Sequence, residues 1–149
     1  MMRFLAGAFV AGFAIIMLAN GGPSPSSPNA LEIRADGDGQ YVTPCAFNNV
    51  EMRCVVDTGA TGTALDRRAA AWLGIDVRRL RFTGRSETAN GMARIACGLL
   101  VTLRVGPLTH TDFPVCIIDS DMHGIPLLGM SFLRRHRVEM EDGTLVISE

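Results

Sequence analysis

The chain has 149 residues and a formal net charge of −1, which comes from 14 basic and 15 acidic side chains. This balance gives no electrostatic argument for nucleic-acid binding, and the length suits a single folded domain. All of the basic residues are arginines in short scattered groups, a pattern typical of solvated faces. The four cysteines and three histidines lack metal-ligand spacing, so no metal site or cofactor is predicted, and the histidines are expected in loops or on the surface.

Residues 1–20 form a separate unit. Arg3 precedes an unbroken apolar run of 16 residues, Phe4 to Ala19, which is slightly short for a membrane span and near the upper limit for a signal-peptide core. The run predicts an uncleaved N-terminal membrane anchor, with a cleaved signal peptide as the alternative. In either case, Arg3 stays on the cytoplasmic side and the rest of the chain crosses the membrane.

Residues 21–38 are rich in proline, serine and glycine and predict a linker. The folded domain is assigned to residues 39–149, although a start near Leu31 is also compatible with the pattern. Short apolar segments separated by turn residues predict a β-rich domain with one or two short helices. The predicted strands are 40–46, 50–56, 96–105, 108–118, 137–141 and 144–148.

Short sequence motifs predict the turns between these strands and the cap of one helix. Asn48-Asn49 and Asp142-Gly143 predict hairpin turns, and Asp66 predicts the N-cap of a short helix that Gly74 ends. A further hairpin is expected over residues 86–95. Its tip is predicted to be the segment Thr88, Ala89, Asn90 and Gly91.

The cysteines lie on predicted hairpins. A turn at Gly106-Pro107 places Cys97 directly opposite Cys116, close enough for a disulfide in an exported domain. Buried free thiols that act as small apolar side chains are an equally good interpretation. Cys45 and Cys54 share a face of the first hairpin but are diagonal, so no bridge is predicted there.

One segment contains a candidate catalytic residue. Cys54-Val55-Val56 reads as an apolar strand that leads directly into Asp57-Thr58-Gly59-Ala60. An aspartate and a glycine after a strand also occur in ordinary turns. Asp-Thr-Gly alone is therefore weak evidence for a catalytic site. A second segment strengthens the signal of the Asp-Thr-Gly motif. This segment is Ile125-Pro126-Leu127-Leu128-Gly129-Met130, and Ser131-Phe132-Leu133 follows it.

Together, these two segments resemble the retropepsin-like aspartic proteases, in particular their bacterial, membrane-anchored branch. The resemblance runs from about Gln40 to Ile147. It implies a single-lobe, closed β-barrel in which Asp57 is catalytic and Thr58, Gly59 and Ala60 support it. It also implies that Leu128 and Gly129 pass beneath the active-site loop, and that Thr88–Gly91 forms the flap over an extended peptide.

An aspartic protease needs two carboxylates that share one proton. The sequence carries one Asp-Thr-Gly, so the second carboxylate is expected from a second copy, in an active site formed by homodimerisation. The chain departs from viral relatives in having Thr61-Gly62 after the motif, and in a polar flap segment with Arg85, Glu87 and Arg94. These differences affect the expected contacts with the substrate and leave the assignment of Asp57 as the catalytic residue unchanged.

The sequence therefore predicts a homodimeric aspartic endopeptidase that acts on extended polypeptide segments. It is placed in the bacterial inner membrane with the protease domain on the periplasmic side, or alternatively as an exported soluble protein. Two other interpretations remain open. One is a catalytically inactive, membrane-anchored peptide-binding domain on the same fold; the other is a structural envelope module whose motif is coincidental.

Overall fold

The computed structural model describes residues 28–149, so the predicted anchor or signal segment lies outside the described residues. Two short α-helices are present, α1 (Arg67–Trp72) and α2 (Met130–Leu133), with a 3-10 turn at Val77–Arg79. No helix within 28–149 combines the length and the apolar character needed to span a membrane. The strands are β1 (Ala30–Arg34), β2 (Val42–Phe47), β3 (Val50–Val56), β4 (Ala64–Asp66), β5 (Gly84–Thr88), β6 (Gly91–Val105), β7 (Leu108–Ile118), β8 (Leu127–Leu128), β9 (Arg137–Glu141) and β10 (Thr144–Ser148).

Six strands close into a barrel. They follow the order β2-β3-β8-β4-β7-β6, and β6 then returns to β2 through the pairs Ala46–Arg104 and Phe47–Leu103. Closure leaves these strands without a free edge, and the barrel interior holds fully buried Phe47, Leu103 and Phe113. The predicted class, an all-β closed barrel with short helices, is confirmed.

A second, three-stranded sheet has the order β1-β10-β9. Strand β1 falls inside the predicted linker, 21–38, yet it pairs with β10 along its whole length and buries Ile33. The folded part therefore begins earlier than residue 39, in agreement with the other start, near Leu31. The alternating side chains of Leu31-Glu32-Ile33 favour a strand, but only the distant partner β10 gives that strand a core to cover.

The turns predicted at Asn48-Asn49 and Asp142-Gly143 and the cap predicted at Asp66 are confirmed. Asn48 and Asn49 both have positive φ, 47° and 65°, as a two-residue type I′ hairpin requires, and the Asp142-Gly143 hairpin has the same geometry. The carboxylate Oδ1 of Asp66 accepts the backbone N–H of Ala69 at 2.8 Å and so caps α1.

Strands β6 and β7 contain two compensating bulges. Asp112 (φ 50°) adds a residue to β7, and Gly98 (φ 96°) adds one to β6, so the register shifts once and then shifts back. Cys97 consequently lies opposite Cys116, as a simple count from the Gly106-Pro107 turn predicts. The two residues form a disulfide with a Cα–Cα distance of 4.1 Å.

Cys45 and Cys54 also form a disulfide, and the prediction that they lie too far apart was wrong. They are diagonal in the β2–β3 register, where Cys45 faces Met52 and Thr43 faces Cys54. Their Cα atoms are nevertheless only 5.9 Å apart. Strand twist makes the two diagonals of a hairpin unequal, so one diagonal is shorter than a flat ladder suggests.

We expect the natively folded protein to contain no free thiols, because both disulfides use all four cysteines. Thiol labelling followed by mass spectrometry, before and after reduction, measures this directly. Reduction is expected to lower the free energy of unfolding by about 2–4 kcal/mol for each bridge. Labelling of Cys97 or Cys116 in the unreduced, folded protein would contradict the pairing.

Candidate active site

The site lies where two parallel strands end side by side. Strand β3 pairs in parallel with β8 through Val55–Leu127 and Val56–Leu128. Asp57 follows β3 directly, and its N–H donates to the carbonyl of Leu128 at 3.0 Å. Because the carboxyl ends of parallel strands meet at the same sheet edge, the loop after β3 and the segment after β8 are brought together.

Asp57 is a partly exposed residue at the start of this loop. Its Oδ1 atom accepts the N–H of Gly59 at 2.8 Å, and its carbonyl accepts the N–H of Ala60 at 3.2 Å. A β-carbon at position 59 would lie 3.2 Å from Oδ1, so glycine lets the turn close tightly on the carboxylate. Thr58 and Gly59 are exposed at the loop surface, where they are available to another molecule.

Leu128 and Gly129 pack against the loop that follows β3. Leu128 is fully buried, and the residue after Gly129 donates its N–H to the carbonyl of Ala60 at 2.8 Å. A β-carbon at position 129 would lie 2.7 Å from that same carbonyl oxygen and would also collide with the carbonyl oxygen of Gly62. Only glycine permits this close backbone approach.

A partly buried pair of hydroxyl groups fixes the far end of the loop. Ser131 Oγ accepts the N–H of Thr63 at 2.9 Å and lies 3.1 Å from Thr63 Oγ1. Thr63 is 1% exposed, so its N–H would otherwise be an unsatisfied buried donor. Sequence reasoning missed this pair, because a threonine and a serine 68 residues apart carry no pattern that joins them.

Asp66 has a second role that the cap signal did not reveal. Its Oδ2 atom accepts the N–H groups of Met122 and Gly124, each at 2.9 Å, while Oδ1 caps α1. The residue is 1% exposed, and its negative charge is balanced by three backbone donors. Asp66 therefore attaches the segment that leads into β8 to the first turn of α1.

The hairpin of β5 and β6 extends beyond the barrel. Strand β5 pairs only with the first part of β6, from Gly84–Ile95 to Thr88–Gly91, so Ala89 and Asn90 form the turn. The predicted hairpin is present, with its turn one residue earlier than Asn90-Gly91. The hydroxyl of Thr88 donates to the carbonyl of Gly91 at 2.7 Å and accepts the N–H of Asn90, which stabilises the tip.

An ion-pair cluster holds the base of this hairpin. Asp119, at the end of β7, accepts hydrogen bonds from Arg67 at 2.6 Å and from Arg94 of β6 at 2.9 Å. The Arg67 guanidinium also stacks 4.4 Å from the centre of the Phe82 ring. The hydrogen bonds from Arg67 and then Arg94 lower the pKa of Asp119 to about 2.

This lowered pKa predicts a loss of stability in acid. The folded-state pKa of Asp119, about 2, lies below the usual aspartate value of 3.8, so its stabilisation is present above about pH 4 and disappears as the pH falls towards 2. Because the side chain is 28% exposed, solvent screening reduces the expected contribution to about 1 kcal/mol. Denaturant unfolding between pH 2 and 5 measures it. The Asp119→Asn variant should lose this dependence, whereas Asp38→Asn, at an exposed turn, should retain it.

Two histidines lie together, although the sequence predicted separate surface or loop residues. His110 Nε2 and His136 Nε2 are 2.8 Å apart, and both rings are half-buried beside Phe132. Burial is the main cause that lowers the pKa of each. The barrel strand β7 and the residues after α2 meet here, a contact that sequence spacing does not show. Among residues 28–149, no group of three or more metal-ligating side chains occurs.

The fold and this loop geometry define the retropepsin-like class. A solved retropepsin-like aspartic protease from Rickettsia conorii matches with a TM-score of 0.71 and 29% identity, over 80% of this chain and 99% of that one. The retroviral protease-like domain of Ddi1 from Leishmania major matches in fold, with a TM-score of 0.51 and 20% identity, over 67% of this chain and 79% of that domain.

Residues 43–132 match the aspartyl protease family, and the chain belongs to that family. An uncharacterized protein of Rickettsia prowazekii (strain Madrid E) is 35% identical over 77% of this chain and 49% of its own length. An uncharacterized Sinorhizobium protein encoded in the cobV 5′ region is 32% identical over 64% of this chain and 41% of its own. The chain thus spans about half the length of these curated relatives or less.

Proposed function

We propose that this chain is an aspartic endopeptidase in which Asp57 and Asp57 of the partner subunit activate a water molecule. The observation that supports this proposal best is the position of the Asp57 carboxylate. The Asp57 carboxylate directly follows the barrel strand β3, accepts the N–H of Gly59, and lies in a loop against which Gly129 packs closely. The one Asp-Thr-Gly of the sequence supplies one carboxylate, so a homodimer is needed for the pair.

In this mechanism, one carboxyl group is ionised and takes a proton from the water, which attacks the carbonyl carbon of the scissile peptide bond. The other carboxyl is protonated and donates to the carbonyl oxygen. The tetrahedral intermediate then collapses, and the leaving amine takes a proton from the dyad. No metal or cofactor is required. Thr58 is assigned to contacts across the dimer, and the Gly59-Ala60 backbone to contacts with the bound peptide.

The β5–β6 hairpin is assigned the role of a flap. A mobile lid of this kind excludes water and clamps an extended peptide through backbone pairing. The tip residues Thr88, Ala89, Asn90 and Gly91 carry that contact in the proposal. We further propose that the N-terminal segment holds the domain at the periplasmic face of the inner membrane, where envelope proteins or the chain's own linker are the substrates. Release as an exported soluble protein is the alternative.

Peptide hydrolysis is expected to peak at mildly acidic pH. Two close carboxylates cannot both ionise readily, so the active form with one shared proton is most populated between the two apparent pKa values of the pair. The rate should fall on the acid side, where the base is protonated, and on the alkaline side, where the acid is lost. Cleavage of a peptide library by the full-length chain, measured from about pH 4 to pH 9, tests this. A rate that rises steadily into alkaline pH would contradict the mechanism.

A further inference from the structure

The contact between His110 and His136 joins three parts of the fold. His110 lies in β7 of the barrel, opposite the fully buried Leu103 of β6. His136 lies between the end of α2 and the start of β9 in the small sheet. The two Nε2 atoms are 2.8 Å apart, a distance at which one ring nitrogen donates a hydrogen bond to the other. The pair therefore links the barrel, α2 and the small sheet through a hydrogen bond between side chains.

A contact between two imidazole Nε2 atoms has room for one hydrogen between them. In the neutral pair, one ring donates from Nε2 and the other accepts with a bare Nε2. A first added proton occupies Nδ1 of the donor ring, so the contact persists and becomes a charge-assisted hydrogen bond. A second added proton must occupy the accepting Nε2, so that two N–H groups and two positive charges face each other. The contact therefore tolerates one added proton but not two.

The surroundings of the two rings also oppose the second proton. Both rings are half-buried, and burial is the largest cause that lowers the pKa of each histidine. The guanidinium of Arg135 lowers the pKa of both further. The backbone of Ser148 and the carboxylate of Glu149 act in the opposite direction on His136. These two groups favour a first charge on His136, whereas burial and Arg135 both lower the pKa of His110.

Helix α2 connects this contact to the loop that contains Asp57. The Phe132 ring of α2 packs against both imidazoles, with its centre 5.9 Å and 4.7 Å from theirs. The two residues before Phe132 donate their N–H groups to the carbonyls of Ala60 and Thr61, at 2.8 Å and 3.0 Å. A displacement of His136 together with Phe132 therefore moves the residues that hold the loop.

We propose that the His110–His136 pair is a pH-sensitive contact, which holds α2 against β7 as long as it carries at most one added proton. As the pH falls, uptake of the second proton separates the two rings, and α2 loses this contact with the barrel. The Asp57 loop then loses part of its support. The change is reversible, since only protons are exchanged. This inference goes beyond the proposed function, because it concerns the position of α2 whether or not the chain hydrolyses peptides.

The direction of the effect on stability follows from the two pKa shifts. Both histidines have a folded-state pKa below the usual value of 6.5, so the unfolded chain binds more protons in that range. The stabilisation is complete above about pH 6.5 and disappears as the pH falls from there towards the folded-state values. For each histidine, the unfolding equilibrium constant should rise by up to about tenfold per pH unit. The effect of Asp119 begins only below about pH 4, so the two effects can be separated.

Urea unfolding at a series of pH values tests the contact. The parent is the full-length Asp57→Asn chain, which lacks any titration of a carboxylate pair, at one fixed protein concentration. Between about pH 7 and pH 5, the parent should take up one to two protons on unfolding, read from the slope of the equilibrium constant against pH. Adding His110→Phe and His136→Phe together should remove this uptake. The control His123→Gln changes an exposed histidine that lies 3.7 Å from Asp121, and it should retain the uptake.

A second pair of substitutions replaces the first if the phenylalanine variant fails to fold. His110→Gln with His136→Gln keeps polar side chains that can hydrogen-bond to each other, and neither side chain titrates. This variant should also lose the uptake of protons on unfolding. Equal uptake by the parent and by the folded double variant would overturn the proposal. Uptake close to zero in the parent would overturn it as well.

Hydrogen exchange tests the step from the contact to the loop. The N–H groups of Met130 and Ser131 should lose about tenfold or more of their protection between pH 7 and pH 5, after correction for intrinsic exchange. The His110→Gln/His136→Gln variant should keep that protection. Unchanged protection in the parent would overturn the proposed effect on the loop. Neither measurement uses hydrolysis, so a chain that shows both effects and cleaves no peptide as wild type would support this inference and reject only the protease.

Discussion

Asp57→Asn is expected to abolish peptide hydrolysis, with a loss of about 10³-fold or more in kcat/KM. In the proposed dimer, this change removes both members of the carboxylate pair, and general acid–base catalysis alone contributes about 10²–10⁴-fold. Asparagine keeps the size of the side chain, and its amide oxygen still accepts the N–H of Gly59, the one hydrogen bond that the Asp57 side chain makes within residues 28–149. The loop should therefore retain its shape. Initial rates on the best library peptide, at the optimal pH, measure the effect.

Asp112→Asn is the matched control. Asp112 is an exposed bulge residue with φ of 50°, a conformation that asparagine also adopts readily, so activity and stability should both be unchanged. Equal hydrolysis by wild type and Asp57→Asn would refute the aspartic mechanism. Absence of hydrolysis in a folded, dimeric wild-type protein would instead favour the peptide-binding domain, which peptide-capture measurements with both proteins would then examine.

Gly129→Ala is expected to destabilise the protein by about 3 kcal/mol or more, an unusually large effect for one methyl group. The backbone of Gly129 has φ of −91° and ψ of −168°, which alanine adopts easily, so the cost comes from contact and not from conformation. The added carbon would lie 2.7 Å from the Ala60 carbonyl oxygen, and backbone atoms cannot move away cheaply. Any relief must shift the Asp57 loop, so activity should fall along with stability.

Gly62→Ala is the control from the same loop. A β-carbon at position 62 has no atom within 4 Å and the residue does not need positive φ, so the free energy of unfolding should change by less than about 0.5 kcal/mol. Urea unfolding of both variants compares the two glycines directly. Similar stabilities for Gly129→Ala and Gly62→Ala would show that the close approach beneath the loop is absent in solution.

Local signals in the sequence identified most hairpins, because those elements depend on a few adjacent residues. Asn48-Asn49 and Asp142-Gly143 adopt the positive φ angles that the turns need, and Asp66 caps α1. Strand β1 was assigned to a linker because its partner, β10, lies more than a hundred residues away. The Cys45–Cys54 bridge was missed because it depends on strand twist, which a register count omits.

The sequence by itself determined the family resemblance and the strand that leads into Asp57, since each is a property of a short segment. The tertiary structure decided everything that depends on distant pairing. It closed the barrel between β6 and β2, joined Thr63 to Ser131, and balanced the buried Asp66 with backbone donors from residues 122 and 124. Within residues 28–149, it also left β9 paired with a strand on one side only. The physical reason is that a buried polar group or a strand edge forms hydrogen bonds with groups that the fold places next to it. These partners lie far away in the sequence, so a short segment does not reveal them.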